Sequence, residues 1–147
     1  MFFHEVSALS GASRPERASR ICCKVTTDLE IILIIFTFAD MSRKDRHIIS
    51  LIRHIAKSNV PPDGRVLLYG SRARGTARED SDWDLLIILN KPAIEQSDYD
   101  NISYPFFISG LEEGQLFSPV LYTKKEWEER EMSLFHYNVD QDGIIIQ

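Results

Sequence analysis

Two apolar runs, "RVLLYG" (65–70) and "DWDLLIILN" (82–90), constrain what this chain can fold into more than any other feature. A strand with one wet face alternates apolar and polar residues. A nearly continuous run is expected where a sheet is covered on both faces. Charge has no place inside such a strand, yet the second run opens with Asp82 and Asp84, one residue apart.

The flanking segments offer the cover. From Ser42 to about Ser58, Ile48, Ile49, Leu51, Ile52, Ile55 and Ala56 recur at helical spacing, with Arg43, Lys44, Arg46, Arg53 and Lys57 mostly around the other side. "NVPPDG" ends that helix, because proline cannot continue the ladder and Asp-Gly favours a turn. Residues 94 to about 112 read as partly helical, with Pro105 interrupting. "QLFSPVLYT" (115–123) reads as a third strand whose Pro119 cannot donate to a ladder, which predicts an edge or a bulge. "TKKEWEEREM" reads as a helix, with Thr123 and Glu126 at capping-box spacing, and "GIIIQ" as a short last strand. The order describes a small mixed α/β domain.

At 147 residues, with 44% hydrophobic content, the chain has room for one such domain. Its net charge of −5 disfavours general binding to nucleic-acid backbones. Cys22 and Cys23 are adjacent, give no disulfide framework, and fit a reducing cytoplasm. The first forty residues differ from the rest: "SGASRPERASR" is polar and basic with no apolar period. "IILIIFTFA" (31–39) is about half the length needed to span a bilayer. It is either a buried β-type segment or part of an upstream extension that the domain does not need. Because the regular pattern begins at Met41, the second is favoured: an extension over 1–40, poorly structured, and a domain over 41–147, with no membrane span.

The turn between the two runs carries chemistry. A strand ending in Gly70-Ser71 and leading into Arg72-Ala73-Arg74-Gly75 can present successive backbone N–H groups and a hydroxyl to phosphate oxygens. Arg72, Arg74 and Arg78 concentrate positive charge there; an ordinary surface turn with solvated arginines would look the same. The aspartates sharpen the choice. Alternation puts Asp82 and Asp84 on one face and Trp83 on the other, with their Cβ atoms roughly 6–7 Å apart from the strand rise. Carboxylates held so close repel unless a cation joins them, and Mg²⁺ typically uses one or two carboxylates plus substrate phosphates. A solvated strand end, or Asp82 capping a turn, would be the structural alternatives.

"GSRARG" followed by "SDWDL", with ten residues between Ser71 and Asp82, resembles the signature of the polymerase-β-type nucleotidyltransferases, and more narrowly their minimal, antitoxin-type domains. The resemblance covers about 20 residues in motif and 42–147 in element order. It implies a small mixed β-sheet flanked by helices, with Gly70 and Ser71 on the β- and γ-phosphates of a nucleoside triphosphate such as ATP, and Arg72 and Arg74 assisting. Asp82 and Asp84 would bind Mg²⁺, which activates an acceptor hydroxyl for attack on the α-phosphate. It also implies a helical partner protein of the HEPN type. His4, His47, His54 and His136 form no constellation and read as structural or surface residues.

Active members of the superfamily generally bring a third carboxylate from a neighbouring strand, and the matching position here holds Ser118. Glu112 and Glu113 could substitute only if their loop folds back. Two function classes follow: a nucleotidyltransferase acting on a partner protein or a small molecule, and a catalytically weak nucleotide-binding or partner-binding module. A chain starting at Met41 is expected to match the full chain in solubility and melting temperature. A large loss of melting temperature on truncation would instead place "IILIIFTFA" in the core.

Overall fold

The computed structural model describes residues 42–147, so the expectations for the first forty residues, "IILIIFTFA", both cysteines and His4 lie outside the described residues. Helix α1 (Arg43–Asn59) starts at Ser42, whose hydroxyl accepts from the Asp45 N–H at 3.0 Å. It ends at Val60, which is extended as a residue preceding proline tends to be. Ile48, Ile49, Ile52, Ile55 and Ala56 are its buried face.

The chain then forms β1 (Arg65–Tyr69), a single helical turn α2 (Gly70–Ala73) and β2 (Trp83–Leu89). Helix α3 (Gln96–Asp98) runs through a widened π-type turn (Tyr99–Ser103) into α4 (Tyr104–Glu112). β3 (Phe117–Thr123), α5 (Lys124–Glu129), α6 (Leu134–Asp142) and β4 (Ile144–Ile145) complete it. The strands lie in the order β3-β2-β1-β4, with β1 antiparallel to both β2 and β4, and β2 parallel to β3.

β2 is covered on both faces, as its apolar run predicts. Trp83, Leu85, Ile87 and Leu89 join the isoleucines of α1 and Ile102 and Phe106 of the α3–α4 arm. Leu86 and Ile88 point the other way, toward Trp127 of α5 and Val139 of α6, with Leu67, Tyr69, Tyr122 and Phe135 half-buried around them. Each fully buried aliphatic side chain contributes about 1.5–3 kcal/mol, so the run Leu85–Leu89 excludes charge along its length. β3 is an edge strand among the described residues, which is where Pro119 is tolerated.

Two local readings need correction. Pro105 does not interrupt the 96–112 segment. A proline inside a helix crowds the carbonyl four residues back, but here the π-type turn widens the ladder just before it, Tyr104 N–H reaching Tyr99 O. Pro105 then falls in the first turn of α4, where a missing N–H is tolerated. The second is α6, which the sequence reading left without an element. It buries only His136 and Val139, so it shows no clear apolar period. Its start is fixed by Ser133, whose hydroxyl accepts from His136 N–H at 3.1 Å, and His136 stacks on Trp127 at 4.4 Å.

The capping box of α5 is formed as read. Thr123 Oγ1 accepts from Glu126 N–H at 3.1 Å and Glu126 Oε2 accepts from Thr123 N–H at 2.9 Å. Thr123→Ala is expected to cost about 1 kcal/mol in denaturant unfolding. The bonds from the Thr123 backbone and hydroxyl hold the Glu126 carboxyl below the usual glutamate range. The stabilisation they give is therefore present above the unfolded value and fades as pH falls through the lowered folded value. The gap between wild type and Glu126→Gln should narrow in acid; a gap constant across pH would count against the box.

Candidate active site

The site forms where β1 ends and β2 begins. Tyr69 and Asp84 are paired across the antiparallel ladder, so the turn that follows Tyr69 stands beside the carboxylate. Gly70 has a φ of +74°, a left-handed backbone that penalises any residue with a Cβ. A Cβ built there would collide with the Asp84 carboxylate. Glycine at 70 thus serves the bend and the close approach at once. The turn closes with Arg74 N–H on Gly70 O at 3.2 Å and Thr76 N–H on Ser71 O at 3.0 Å.

By alternation Asp84 shares the face of β2 that carries Leu86 and Ile88, and it is half-buried at the start of that row. Asp82 precedes the strand by one residue, and the two carboxylates feel each other. Burial pushes the Asp84 carboxyl up, the Asp82 charge pushes it further, and Arg74 partly offsets both. On the other side, β3 aligns Ser118 with Asp84 in parallel register. Among the described residues no cluster of three or more His, Cys, Asp or Glu stands at metal-binding spacing. Two neighbouring carboxylates are hard-oxygen donors of the kind a divalent cation takes.

The arginines divide. Arg74 reaches Asp142 at the end of α6 (Nη1–Oδ2 3.4 Å), and its charge also acts on Asp84. Arg72, expected among the phosphate ligands, is not brought to the carboxylates. Its guanidinium lies on the α1 side, 3.2 Å from Asp45 Oδ1, donating to the Ser81 and Glu79 carbonyls at 2.9 and 3.0 Å. It also sits over the Trp83 ring at 4.8 Å. Only 9% of its side chain is exposed, so it braces the 74–82 loop. The reason is the alternation that paired the aspartates: Trp83 faces the opposite layer and draws Arg72 there. A cavity of about 290 Å³ lies on that same side, lined by Ser42, Lys44, Asp45, Arg72, Arg78 and Gln115 among others, with neither Asp82 nor Asp84 in its wall.

Two neighbours of the site were not singled out from sequence. Tyr69 stands beside Asp84, its ring edge-on to Phe135 at 5.3 Å, and burial followed by the Asp84 charge pushes its hydroxyl up. The alternation along β1 could have flagged it. Asp142 is 68 residues from Arg74 and ends a helix without a clear period, so no local signal leads to it. His47 and His54 are exposed on α1 and His136 is buried in the aromatic layer, away from the turn. Glu112 and Glu113 end α4 at the surface, with Glu113 directed to His47 at 3.3 Å.

A strand–turn–strand unit that sets an acid beside a glycine turn, on a small mixed sheet flanked by helices, is the arrangement that the resemblance to nucleotidyltransferases implies. The family model described as "Nucleotidyltransferase domain" matches residues 49–141, and the chain belongs to that family. No curated protein matches the chain. Among solved structures, it is similar to one described as the toxin-antitoxin with AMP-PNP, at 15% identity and a TM-score of 0.49, over 67% of this chain and 72% of that one. No helix of the described residues is long and apolar enough to cross a membrane.

The raised Asp84 carboxyl carries a consequence for stability. Without metal, the folded protein holds the Asp84 proton more tightly than the unfolded chain does. Stability then rises as pH falls through the raised folded value and levels off below the ordinary aspartate value of 3.8. Above both, the ionised group lowers stability. In chelator at neutral pH, Asp84→Asn is expected to melt above the wild type, and the difference should vanish in acid. A variant that melts lower at neutral pH would show that the carboxylate is a structural partner instead.

Proposed function

We propose that this domain transfers a nucleoside monophosphate from a nucleoside triphosphate, ATP in the first instance, to a hydroxyl on a partner protein or a small molecule. The observation that supports this most is the meeting of Gly70 and Asp84, which puts a bend able to cradle phosphate against a carboxylate at the mouth of a buried strand. In this reading the Gly70–Ser71 backbone and the Ser71 hydroxyl hold the β- and γ-phosphates. Asp82 and Asp84 hold Mg²⁺, and their mutual repulsion is what the bound cation relieves. Arg74, tethered by Asp142 beside the site, offsets phosphate charge, while Arg72 acts at one remove by fixing the loop that delivers Asp82. The bound ion supplies charge neutralisation at the α-phosphate and the departing pyrophosphate. Positioning and charge do the rest, so no protein nucleophile is needed. A cytoplasmic setting, where triphosphate and Mg²⁺ are abundant, goes with this reading. A HEPN-type helical protein is the partner that the family resemblance implies.

A second reading has one observation in its favour. Asp84 is aligned with Ser118, where a third acid would complete the metal ligands on the acceptor side. On that reading the domain binds triphosphate, or a partner, and transfers slowly or not at all.

Calorimetry and a labelled-nucleotide assay test both. ATP binding is expected to need Mg²⁺ and to weaken at least about tenfold in Asp84→Asn, in line with the loss of a charged ligand. Equal binding with and without the metal would remove the site. Ser118→Asp should raise transfer if the third acid is what the domain lacks. Brisk transfer by the wild type, unchanged in Ser118→Ala, would sink the second reading.

A further inference from the structure

The outer surface of the α1–α4 layer carries a feature that nucleotide transfer does not use. Tyr104, Phe107 and Leu111 recur at i, i+3 and i+7 along α4, and this stripe turns outward with 60%, 39% and 52% of each residue exposed. The buried face of the same helix is Phe106 and Gly110, so the stripe adds nothing to the core. Contiguous exposed aromatic and aliphatic side chains on one helix face mark an interaction surface.

Charge indicates what covers it. Between residues 92 and 123 there is no Lys or Arg; Glu95 and Asp98 pair with Lys91 and Glu113 with His47, which leaves the exposed Asp100 and Glu112 to face a basic partner. Helix α1 is the reverse. Its outward side carries Arg43, Arg46, Arg53 and Lys57, and its only acid, Asp45, is turned inward to Arg72. The two helices lie side by side in one layer, sharing the core that holds Ile48 and Phe106, and His47 of α1 meets Glu113 after α4. A two-fold axis standing on this layer would lay α1 of each copy across the aromatic stripe of the other's α4, with Arg43 and Lys57 toward Asp100 and Glu112. The contact would then be reciprocal, as an isologous interface requires.

We propose that the α1–α4 layer is a homodimer interface in which the basic face of α1 covers the Tyr104–Phe107–Leu111 stripe of a second copy. Asp84 faces the opposite side of the sheet with Leu86 and Ile88, so the dimer leaves both candidate sites open. Aromatic anchors with a charged rim are the usual makings of such a contact.

Sedimentation velocity on the full chain from micromolar to submillimolar concentration tests this. A dimer that dissociates on dilution is expected, weakened at least about tenfold by Leu111→Asp, with the melting temperature of the monomer retained because the residue is exposed. Raising salt should loosen it. Asp100→Lys with Glu112→Lys should weaken it comparably, and adding Arg43→Glu with Lys57→Glu should restore it. A monomer at every concentration overturns the proposal. So does a dimer indifferent to Leu111→Asp, because the stripe would then have another occupant, or one weakened by Asp100→Lys with Glu112→Lys that Arg43→Glu with Lys57→Glu fails to restore, because α1 would then not be what covers it.

Discussion

Burial of β2 on both faces is the constraint on which the rest of this domain depends. With Leu85, Leu86 and Ile87 fully buried, neither layer can accept a charge along the strand. Polar chemistry is confined to its open end, next to the turn that β1 delivers. The antiparallel ladder with β1 brings Gly70 there, and the parallel ladder with β3 brings Ser118. The helices are tied to the same strand: α1 and the α3–α4 arm cover the face of Trp83, and α5 and α6 cover the face of Leu86. The site is thus built on strand ends held by two independent core layers, a more rigid mount than a surface loop gives.

That division explains the two arginines of the turn. Side chains leave a short helical turn in different directions, and what each meets is set by the layer on its side. Arg72 meets Trp83, Asp45 and two loop carbonyls, and becomes an internal brace. Arg74 meets Asp142 and the field of Asp84, and stays half-exposed. Asp82 and Asp84 would oppose each other in any metal-free state, and Arg74 is the cation that moderates Asp84 among the described residues. The electrostatics therefore run through a contact between the first turn and the last helix.

Much of this was legible from residue order because it rests on local rules. The α1 period, the two buried strands, the edge position of β3 with its Pro119 and the Thr123–Glu126 box follow from spacing, and so does the nearness of the Asp82 charge to Asp84. What was not legible depends on partners distant in sequence. Nothing near Arg72 announces that Asp45 and Trp83 will claim it. Helix α6 hides because it buries only His136 and Val139 against Trp127, leaving Leu134 and Tyr137 exposed and blurring its period. The passage of the helix through Pro105 depends on a widened turn, and composition does not encode one. The pairing of Asp84 with Ser118 was reachable, since Ser118 stands where the resemblance expects the third acid; the register that makes them neighbours needed the sheet.

The contact between Gly70 and Asp84 has a bearing on how such a domain can drift. The absent Cβ at 70 leaves the volume that the carboxylate at 84 fills, although the two residues belong to different elements. Position 70 is therefore not free to change while the acid stands. A side chain at 70 evicts the carboxylate, whereas a small residue at 84 leaves a gap and lifts part of the demand for glycine, its left-handed backbone aside. In a lineage that abandons chemistry, the acid would be the first to go and the glycine the second. The order of those losses would record, in each descendant, whether the turn was ever kept for the ligand or only for its neighbour.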